Sequence, residues 1–320
     1  MRGLHSFEKR QKMNNSIIKI LKKPSLLFLT LGHRGFLDWM DDEAYLKKAF
    51  KIRMGKLLNL ETPQTYSEKL QWLKLYDRKP VYTQMVDKYE AKKYAERIIG
   101  SEYIVPTLGV WDSFEEIDFT KLPNQFVLKC THDSGGLVIC KDKAKFDVKK
   151  AKRKISACLK HNFFGAQREW PYKDIKPRII AEQYMEDDTT HDLRDYKFFG
   201  FDGEVKALFI ATERESNEET KFDFFDADYN HLPFTNGHPN AETMPEKPSQ
   251  FELMKKLASE LSKGVPQLRV DLYEVNGRVY FGELTFFHWS GMTPFVPEQW
   301  DYTFGEWIKL PAAESKKSRM

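Results

Sequence analysis

The sequence predicts an α+β fold in which a helical region comes first and a mixed region of strands and helices follows. Up to about residue 100 the apolar residues recur at helical spacing, whereas beyond it short apolar runs are separated by turn residues. Neither the glycine-rich turn of a dinucleotide-binding fold nor a P-loop occurs. The chain has 320 residues, of which 41% are hydrophobic and 31% charged, enough for about two domains.

Residues 1–57 are predicted to form a basic N-terminal arm. Residues 1–60 contain 13 Lys or Arg against 5 Asp or Glu, although the net charge of the chain is only +4. Apolar residues on both sides of Pro24 favour a short helix packed on the body, with peripheral contact to a membrane surface as the alternative. Because the folded body does not continue the basic charge, no nucleic-acid partner is expected.

The cellular location is predicted to be cytoplasmic, with the inner face of the membrane as a further option through the basic arm. No run of about 18 apolar residues is present, so a transmembrane helix is not expected. The three cysteines are odd in number and lack metal-ligand spacing, which favours reduced thiols.

Two helices are predicted in the helical segment 58–103. Thr65 and Glu68 have the spacing of a capping box in front of an apolar run. Thr83 is placed to cap a second helix, which Gly100 would end.

Segment 104–185 is predicted to be a first α+β subdomain. Residues 126–129 and 137–140 are typical of two strands joined by the loop 131–136. Asp147 precedes an amphipathic helix with a lysine-rich outer face, and residues 178–184 indicate a buried strand.

Segment 186–310 is predicted to be a second subdomain, followed by a flexible tail at 311–320. Residues 196–201 and 204–212 form a predicted hairpin. Ser249 and Glu252 have capping-box spacing for a helix that ends at Gly264. A last hairpin is predicted from residues 268–275 and 278–285 across Asn276-Gly277.

The loop between the first two strands is a candidate phosphate site. Lys129 ends an apolar strand, and Ser134, Gly135 and Gly136 follow as a tight turn. Such a turn lets backbone N–H groups approach phosphate oxygens, and the lysine adds a point charge. The alternative is an ordinary hairpin loop with a surface lysine.

The last hairpin carries a candidate metal site at Asp271 and Glu283. A two-residue turn pairs Asp271 with residue 282 and puts the two carboxylates on opposite faces, whereas a three-residue loop pairs Asp271 with Glu283. Facing carboxylates repel each other unless a cation lies between them, and oxygen ligands suit Mg²⁺. The alternative is an ordinary salt bridge between Asp271 and Arg269.

A third group of candidates follows the buried strand at 178–184. Backbone groups at its end can bind a flat heteroaromatic ring, and a nearby acid can bind ribose hydroxyls. The alternative is a solvated strand end. The candidates are Glu182, Gln183, Tyr184, Met185, Asp192, Asp195 and Lys197.

From about Leu58 to Leu310 the ordered set of motifs resembles the ATP-grasp superfamily, and specifically its teichuronopeptide-biosynthesis (TupA-like) members from bacterial surface-polysaccharide gene sets. The matching segments are 65–76 (TYSEKLQWLKLY), 87–89 (DKY), 104–109 (IVPTLG), 126–129 (FVLK), 133–136 (DSGG), 195–197 (DYK), 269–273 (RVDLY) and 281–286 (FGELTF).

The resemblance implies that two α+β subdomains hold ATP between them. Lys88 and Lys129 would contact the phosphates, and Ser134 to Gly136 would cover them. Glu182 and its three successors would meet the adenine, and Asp192 or Asp195 the ribose. Asp271 and Glu283 would hold Mg²⁺. Many relatives have an asparagine at the position of Thr285, whose hydroxyl is a weaker ligand.

The implied activity is an ADP-forming ligation of a carboxylate to an amine through an acyl phosphate, with Lys129 and Arg269 as catalytic groups. The implied substrates are an amino acid or short peptide and a saccharide that carries a uronic acid. His288, Ser290 and Gly291 follow the metal strand and are candidates for substrate contact.

Two other functions are considered. Asp187 and Asp188 could be the acidic motif of a glycosyltransferase in capsule or lipopolysaccharide assembly, which would bind a sugar nucleotide and not ATP. The second alternative function is that of a non-enzymatic scaffold, which would dock on a membrane through residues 1–35.

Overall fold

The computed structural model describes residues 24–133, 135–189, 193–213 and 219–312. Ser134, Asp192, residues 1–23 of the predicted N-terminal arm and residues 313–320 of the predicted tail lie outside the described residues. Within them, no helix has both the length and the apolar character needed to cross a membrane.

A group of helices comes first in the chain, as predicted. Helices α2 and α3 pack against each other through buried side chains, among them Tyr45 and Phe50 of α2 and Leu75 of α3. Helix α1 packs beside α2. The helices are α1 (Pro24–His33), α2 (Asp42–Met54), α3 (Tyr66–Tyr76), α4 (Val81–Val86) and α5 (Lys88–Ile99).

The predicted cap of α3 is confirmed and that of α5 is wrong. The Thr65 side chain accepts a hydrogen bond from the Glu68 N–H, and the Glu68 carboxylate accepts one from the Thr65 N–H. Thr83 lies inside the separate helix α4. The carboxylate of Asp87 caps α5 instead, since it accepts from two N–H groups of the first turn, and the helix ends before Gly100 as predicted.

A four-stranded antiparallel sheet follows, with strand order β1-β4-β2-β3. Helix α6 (Val148–Cys158) packs on one face and is capped by Asp147, as predicted. The core between them includes Phe126, Leu128 and Ile155. The strands are β1 (Thr107–Trp111), β2 (Phe126–Cys130), β3 (Leu137–Cys140) and β4 (Ile179–Gln183), and the short helix α7 (Phe164–Gln167) precedes β4.

A six-stranded sheet of order β11-β10-β5-β6-β7-β8 forms the second half, and β9 pairs with β12 apart from it. Both predicted hairpins are present. The elements are β5 (Asp195–Phe201), β6 (Glu204–Thr212), β7 (Lys221–Asp226), β8 (His231–Leu232), β9 (Thr235–Asn236), α8 (Phe251–Ser262), β10 (Leu268–Val275), β11 (Arg278–Thr285), β12 (Phe295–Val296) and α9 (Gln299–Trp307).

Helix α8 covers one face of the six-stranded sheet, where Phe198 packs against Phe251. The capping box predicted for this helix is wrong. Gln250 precedes the first turn without a side-chain cap, and the Ser249 hydroxyl instead donates to Glu274 on β10. Residues 195, 197 and 199 of β5 alternate away from α8, so they lie on the opposite face.

Candidate active site

The β10–β11 hairpin places Asp271 directly opposite Glu283. Its turn has two residues, since Val275 pairs with Arg278, and Asn276 and Gly277 have φ of 51° and 71°. The two-residue turn therefore occurs together with the facing carboxylates, and the alternative three-residue loop is not present. Between Leu272 and Asp271 the register shifts by one, because Gly282 is an extra residue of β11.

The facing carboxylates, Asp271 buried and Glu283 half-buried, belong to one cluster of charges. The Arg269 Nε and Nη2 donate to the two oxygens of Asp271 at 2.7 and 2.8 Å, and Nη2 also donates to Glu283 at 3.2 Å. The Lys197 ammonium bridges Asp271 and Asp195. Burial opposes ionisation of Asp271, but Arg269 and Lys197 outweigh it and lower its pKa to about 2. The salt bridge between Arg269 and Asp271, which was the alternative to a metal site, is thus present.

A cavity of about 320 Å³ lies between the two sheets. Its wall includes the predicted residues Lys129, Glu182 and Tyr184, and Tyr273 from β10. The other lining residues are Val105, Val127, Leu137, Ile139, Lys141, Gln183, Met185, Glu186 and Leu193. Apolar walls with a few charged groups are typical of a site for an organic ligand.

Glu182 is held between two lysines at the wall of this cavity. Its Oε2 lies 2.6 Å from the Lys129 Nζ, and its Oε1 lies 2.6 Å from the Nζ of Lys92 on α5. Burial would raise the pKa of Glu182, but the two cations lower it to about 2. The carboxylate therefore stays ionised and fixes the direction of Lys129.

The predicted phosphate loop follows Lys129 on β2. The Lys88 Nζ donates to the Asp133 carbonyl at 2.7 Å, so the first residue of α5 contacts this loop. The Gly135 N–H donates to the Asp133 carboxylate. A Cβ on Gly136 would lie 2.4 Å from the Cys130 Sγ, which is why the loop needs glycine there.

His288 lies beside the charge cluster, on the segment that follows β11. Arg269 can only donate, so its Nη1 donates to the His288 Nδ1 at 3.0 Å. The Nε2 then carries the proton and donates to the Asn236 Oδ1 at 3.1 Å. Burial, followed by the charge of Arg269, holds the pKa of His288 well below its ordinary value, so the ring is neutral.

Sequence comparison supplies the family. The family model described as TupA-like ATPgrasp matches residues 68–309, about three quarters of the chain. The chain belongs to the TupA-like ATP-grasp family. Its fold is therefore the ATP-grasp fold, and the recognition made from the ordered motifs is confirmed. A comparison with curated protein sequences finds no match.

Solved ATP-grasp structures are similar at low identity. A D-alanine–D-alanine ligase from Bacillus anthracis complexed with ATP is 18% identical, with a TM-score of 0.37, over 63% of this chain and 55% of that one. The ligase PsnB complexed with minimal precursor, Mg and ADP is 10% identical, with a TM-score of 0.38, over 69% and 57%. This chain thus spans little more than half the length of either structure.

The facing carboxylates of Asp271 and Glu283 have the chemistry of a Mg²⁺ site. Arg269 contacts both of them, and the Lys197 ammonium bridges Asp271 and Asp195. Among the residues that the structure describes, no group of three or more His, Cys, Asp or Glu has a metal-binding arrangement. Mg²⁺ is commonly held by one or two carboxylates together with substrate phosphates. Asp271 and Glu283 fit that role once a nucleotide brings its phosphates.

Some predicted residues lie elsewhere than expected. Asp195 and Lys197 of β5 belong to the charge cluster around Asp271 and do not line the cavity. The carboxylate of Asp187 accepts from the Asn276 N–H, so it ties a loop to the hairpin turn. This contact gives Asp187 a structural role at the hairpin turn.

Three residues of the candidate site were missed from the sequence. Lys92 follows Lys88 by four positions, which puts both side chains on one face of α5. This helical spacing is the signal that could have identified Lys92. Tyr273 follows Asp271 by two positions, which is the strand spacing for a shared face. Asn236 has no such local signal, because it comes from β9 and reaches His288 only through the tertiary fold.

Proposed function

We propose that the protein is an ATP-dependent, ADP-forming ligase that joins a carboxylate to an amine. The observation that carries the proposal is the position of Tyr273 between the cavity and the charge cluster. Tyr273 follows Asp271 by two positions on β10, so the two side chains lie on the same face of the strand. The Tyr273 ring also lines the cavity. One nucleotide can therefore reach from the cavity to the charge cluster.

The nucleotide would bind with its base in the cavity and its phosphates towards Lys129. The backbone of Glu182 to Met185 would meet the adenine, while the Glu182 carboxylate holds Lys129 and Lys92. Gly135 and Gly136 would cover the phosphates with Ser134, and Lys88 would support that loop. Asp192 or Asp195 would bind the ribose, and Lys197 would add positive charge at the phosphate end.

Asp271 and Glu283, with Thr285 two positions beyond Glu283 on the same face, would hold Mg²⁺. When bound, the ion would neutralise charge on phosphate oxygens. Arg269 lies beside the same carboxylates and would direct its positive charge at the reacting groups.

The proposed reaction has two steps. A substrate carboxylate attacks the γ-phosphorus of ATP, which forms an acyl phosphate and releases ADP. An amine then attacks the acyl carbon, loses a proton and releases inorganic phosphate, which leaves an amide. Lys129 and Arg269 would stabilise the charge on the transferring phosphoryl group, and preorganised charges of this kind act without reorganisation during the reaction.

The substrates in this proposal are an amino acid or short peptide and a saccharide bearing a uronic acid, joined for bacterial surface polysaccharide or capsule. This context is the one that the resemblance to the teichuronopeptide-biosynthesis proteins implies. His288, Ser290 and Gly291 would lie on the substrate side, since they follow the metal strand and His288 contacts Arg269. The enzyme would work in the cytoplasm, and its basic N-terminal arm would contact the inner face of the membrane.

Two measurements test the proposal. Thermal shift with Mg-ATP should raise the melting temperature, whereas UDP-sugars should not, because only a ligand that binds the native state stabilises it. Purified protein offered a panel of amino acids and uronic acids should release ADP with one substrate pair. Stabilisation by a UDP-sugar alone would favour the glycosyltransferase.

Variants then link the reaction to the site. Lys129→Ala and Asp271→Asn should each abolish ADP formation while the circular dichroism spectrum is unchanged. Lys176→Ala is the matched control, because Lys176 forms an exposed 2.6 Å ion pair with Asp112 away from the cavity. Normal ADP formation by either site variant would contradict the proposal. Co-sedimentation with anionic liposomes, with and without residues 1–35, tests the membrane contact.

A further inference from the structure

Helix α3 carries a stripe of buried polar side chains. Ser67, Gln71 and Lys74 follow one another at spacings of four and three, so they share one face of the helix, and each is 0% exposed. A helix normally buries apolar residues on such a face. All three lie in the segment 65–76, whose pattern marks the family and to which the proposed reaction assigns no role.

Both Gln71 and Lys74 bind the segment that follows β11. The Gln71 Nε2 donates to the carbonyls of Ser290 and Gly291 at 3.0 and 3.1 Å. The Lys74 Nζ donates to the Ser290 carbonyl at 2.8 Å and to its hydroxyl at 2.6 Å. The Gln71 Oε1 accepts from Lys74 at 3.0 Å, so the two side chains act as one unit.

The segment they bind has an unfavourable backbone. Trp289, Ser290 and Gly291 have φ of 48°, 57° and 62°, so three successive residues are left-handed and two of them are not glycine. Such a conformation persists only where surrounding contacts impose it, and it is concentrated at functional sites. Here the Gln71 and Lys74 side chains of α3 supply four of the hydrogen bonds that hold it, beside the packing of Trp289 on Phe222.

The residue at the start of this segment is His288, whose Nδ1 accepts from Arg269. We propose that Gln71 and Lys74 are positioning residues, which hold residues 289–291 in the left-handed conformation and so keep His288 against Arg269. The inference rests on the proposed function in one respect, namely that Arg269 serves the reacting groups. Asn236 holds the other nitrogen of the same ring.

The test compares Lys74→Met and Gln71→Leu with Lys69→Met. Lys69 is the matched control, because it lies on the same helix and its Nζ also donates to two carbonyls, those of Gly305 and Ile308. We expect both test variants to lower kcat for ADP formation at least tenfold. The KM for ATP should change less than threefold, because Lys129 and the cavity are untouched, and the control should stay within twofold in both.

A rescue variant separates positioning from packing. Glycine adopts positive φ without steric cost, so Ser290→Gly added to Lys74→Met should raise kcat at least threefold above that of Lys74→Met. Because Ser290 is also a proposed substrate contact, Ser290→Gly alone is the reference for the double variant. If glycine restores nothing, Lys74 does not act through the conformation of this segment and the proposal is wrong. If Lys74→Met does not fold, Gln71→Leu, which keeps the cation, carries the same test with the same rescue.

Long-range nitrogen NMR spectra of the histidine rings give a readout without substrate. His288→Asn identifies the signal of His288 among the eight histidines. The wild type should show a neutral ring protonated at Nε2, and the two test variants should shift or broaden that signal while Lys69→Met does not. An unchanged signal in both test variants would overturn the proposal. If the wild type makes no ADP with any substrate pair, the proposed function fails, and the spectra still decide the role of α3.

Discussion

Asp271 and Glu283 face each other across two neighbouring strands, although the turn that joins those strands has only two residues. With such a turn alone, Asp271 would pair with Gly282, and Glu283 would point to the other side of the sheet. The extra residue Gly282 restores the facing arrangement. The geometry of the candidate metal site therefore depends on one β-bulge.

The bulge predicts a large effect of Gly282→Ala. An added Cβ would lie 2.9 Å from the Asp271 carbonyl oxygen and 3.0 Å from the Tyr273 ring, so the strands must shift. We expect the free energy of unfolding to fall by about 1–3 kcal/mol, as in other overpacked sites. ADP formation should fall at least tenfold, because Glu283 moves relative to Asp271. Urea denaturation and an ADP assay measure the two effects.

Gly277→Asn in the same hairpin is the matched control for the bulge. Gly277 has a φ of 71°, a conformation that asparagine tolerates, and an added Cβ would meet no atom within 4 Å. Its free energy of unfolding should change by less than about 0.5 kcal/mol. Equal stability and activity in both variants would show that the bulge does not require glycine.

The parts of the fold that depend on near neighbours were predictable. The capping box at Thr65 and Glu68 and both hairpins follow from local patterns, and the structure confirms them. The failures occurred where two local signals compete. Thr83 and Asp87 are both good cap residues, and tertiary packing ends α4 between them. A bulge likewise leaves no trace in an alternating pattern beyond a glycine.

The candidate site was predictable only where spacing along one element encodes it. Lys129 and Asp271 stand at strand positions that the sequence marks. The support around them comes from distant segments, as when Gln71 reaches Gly291 or Asn236 reaches His288. No pattern within one element records a contact between two side chains more than 50 positions apart.

Acid should destabilise the protein through Glu182. Its pKa is lowered from an ordinary 4.5 to about 2 in the folded state. A depressed carboxyl pKa contributes stability that is complete above the unfolded pKa and is lost as the pH falls towards the folded one. At 1.36 kcal/mol for each pKa unit, this contribution is about 3 kcal/mol. Stability should therefore fall between about pH 4.5 and 2.

Glu182→Gln isolates this contribution. At pH 7 the variant should lose about 3–5 kcal/mol, because Lys92 and Lys129 lose their buried partner. Its stability should then depend less on pH between 4.5 and 2, although Asp271 adds a dependence of the same sign. Urea denaturation at several pH values measures both the loss at pH 7 and the pH dependence.

The control is Glu43→Gln, in the exposed pair with Lys47. It should lower the free energy of unfolding by at most about 1 kcal/mol. Equal slopes in wild type and Glu182→Gln would contradict the assignment.

Arg269→Lys should impair turnover more than nucleotide binding. All three guanidinium nitrogens are used, by Asp271, Glu283 and His288, and a single ammonium cannot reproduce that fork. We expect kcat for ADP formation to fall about 10²–10³-fold, the usual effect of losing one preorganised donor. The KM for ATP should change only a few-fold. Arg278→Lys, at the exposed end of the same hairpin, is the control, and a kcat equal to that of the control would exclude a catalytic role.

Thr285 gives the sharpest test of the metal assignment, because the same position can be made a better or a worse ligand. Thr285 pairs with Arg269 across the hairpin, two positions beyond Glu283 on the same face. Asparagine offers a carbonyl oxygen, so Thr285→Asn should lower the Mg²⁺ concentration that gives half-maximal ADP formation. Valine has the same shape without a hydroxyl, so Thr285→Val should raise it. Opposite shifts from two substitutions cannot come from a general loss of stability, which would act in one direction. If both variants need the same Mg²⁺ concentration as the wild type, the hydroxyl does not face the metal, and the site then consists of Asp271, Glu283 and phosphate oxygens alone.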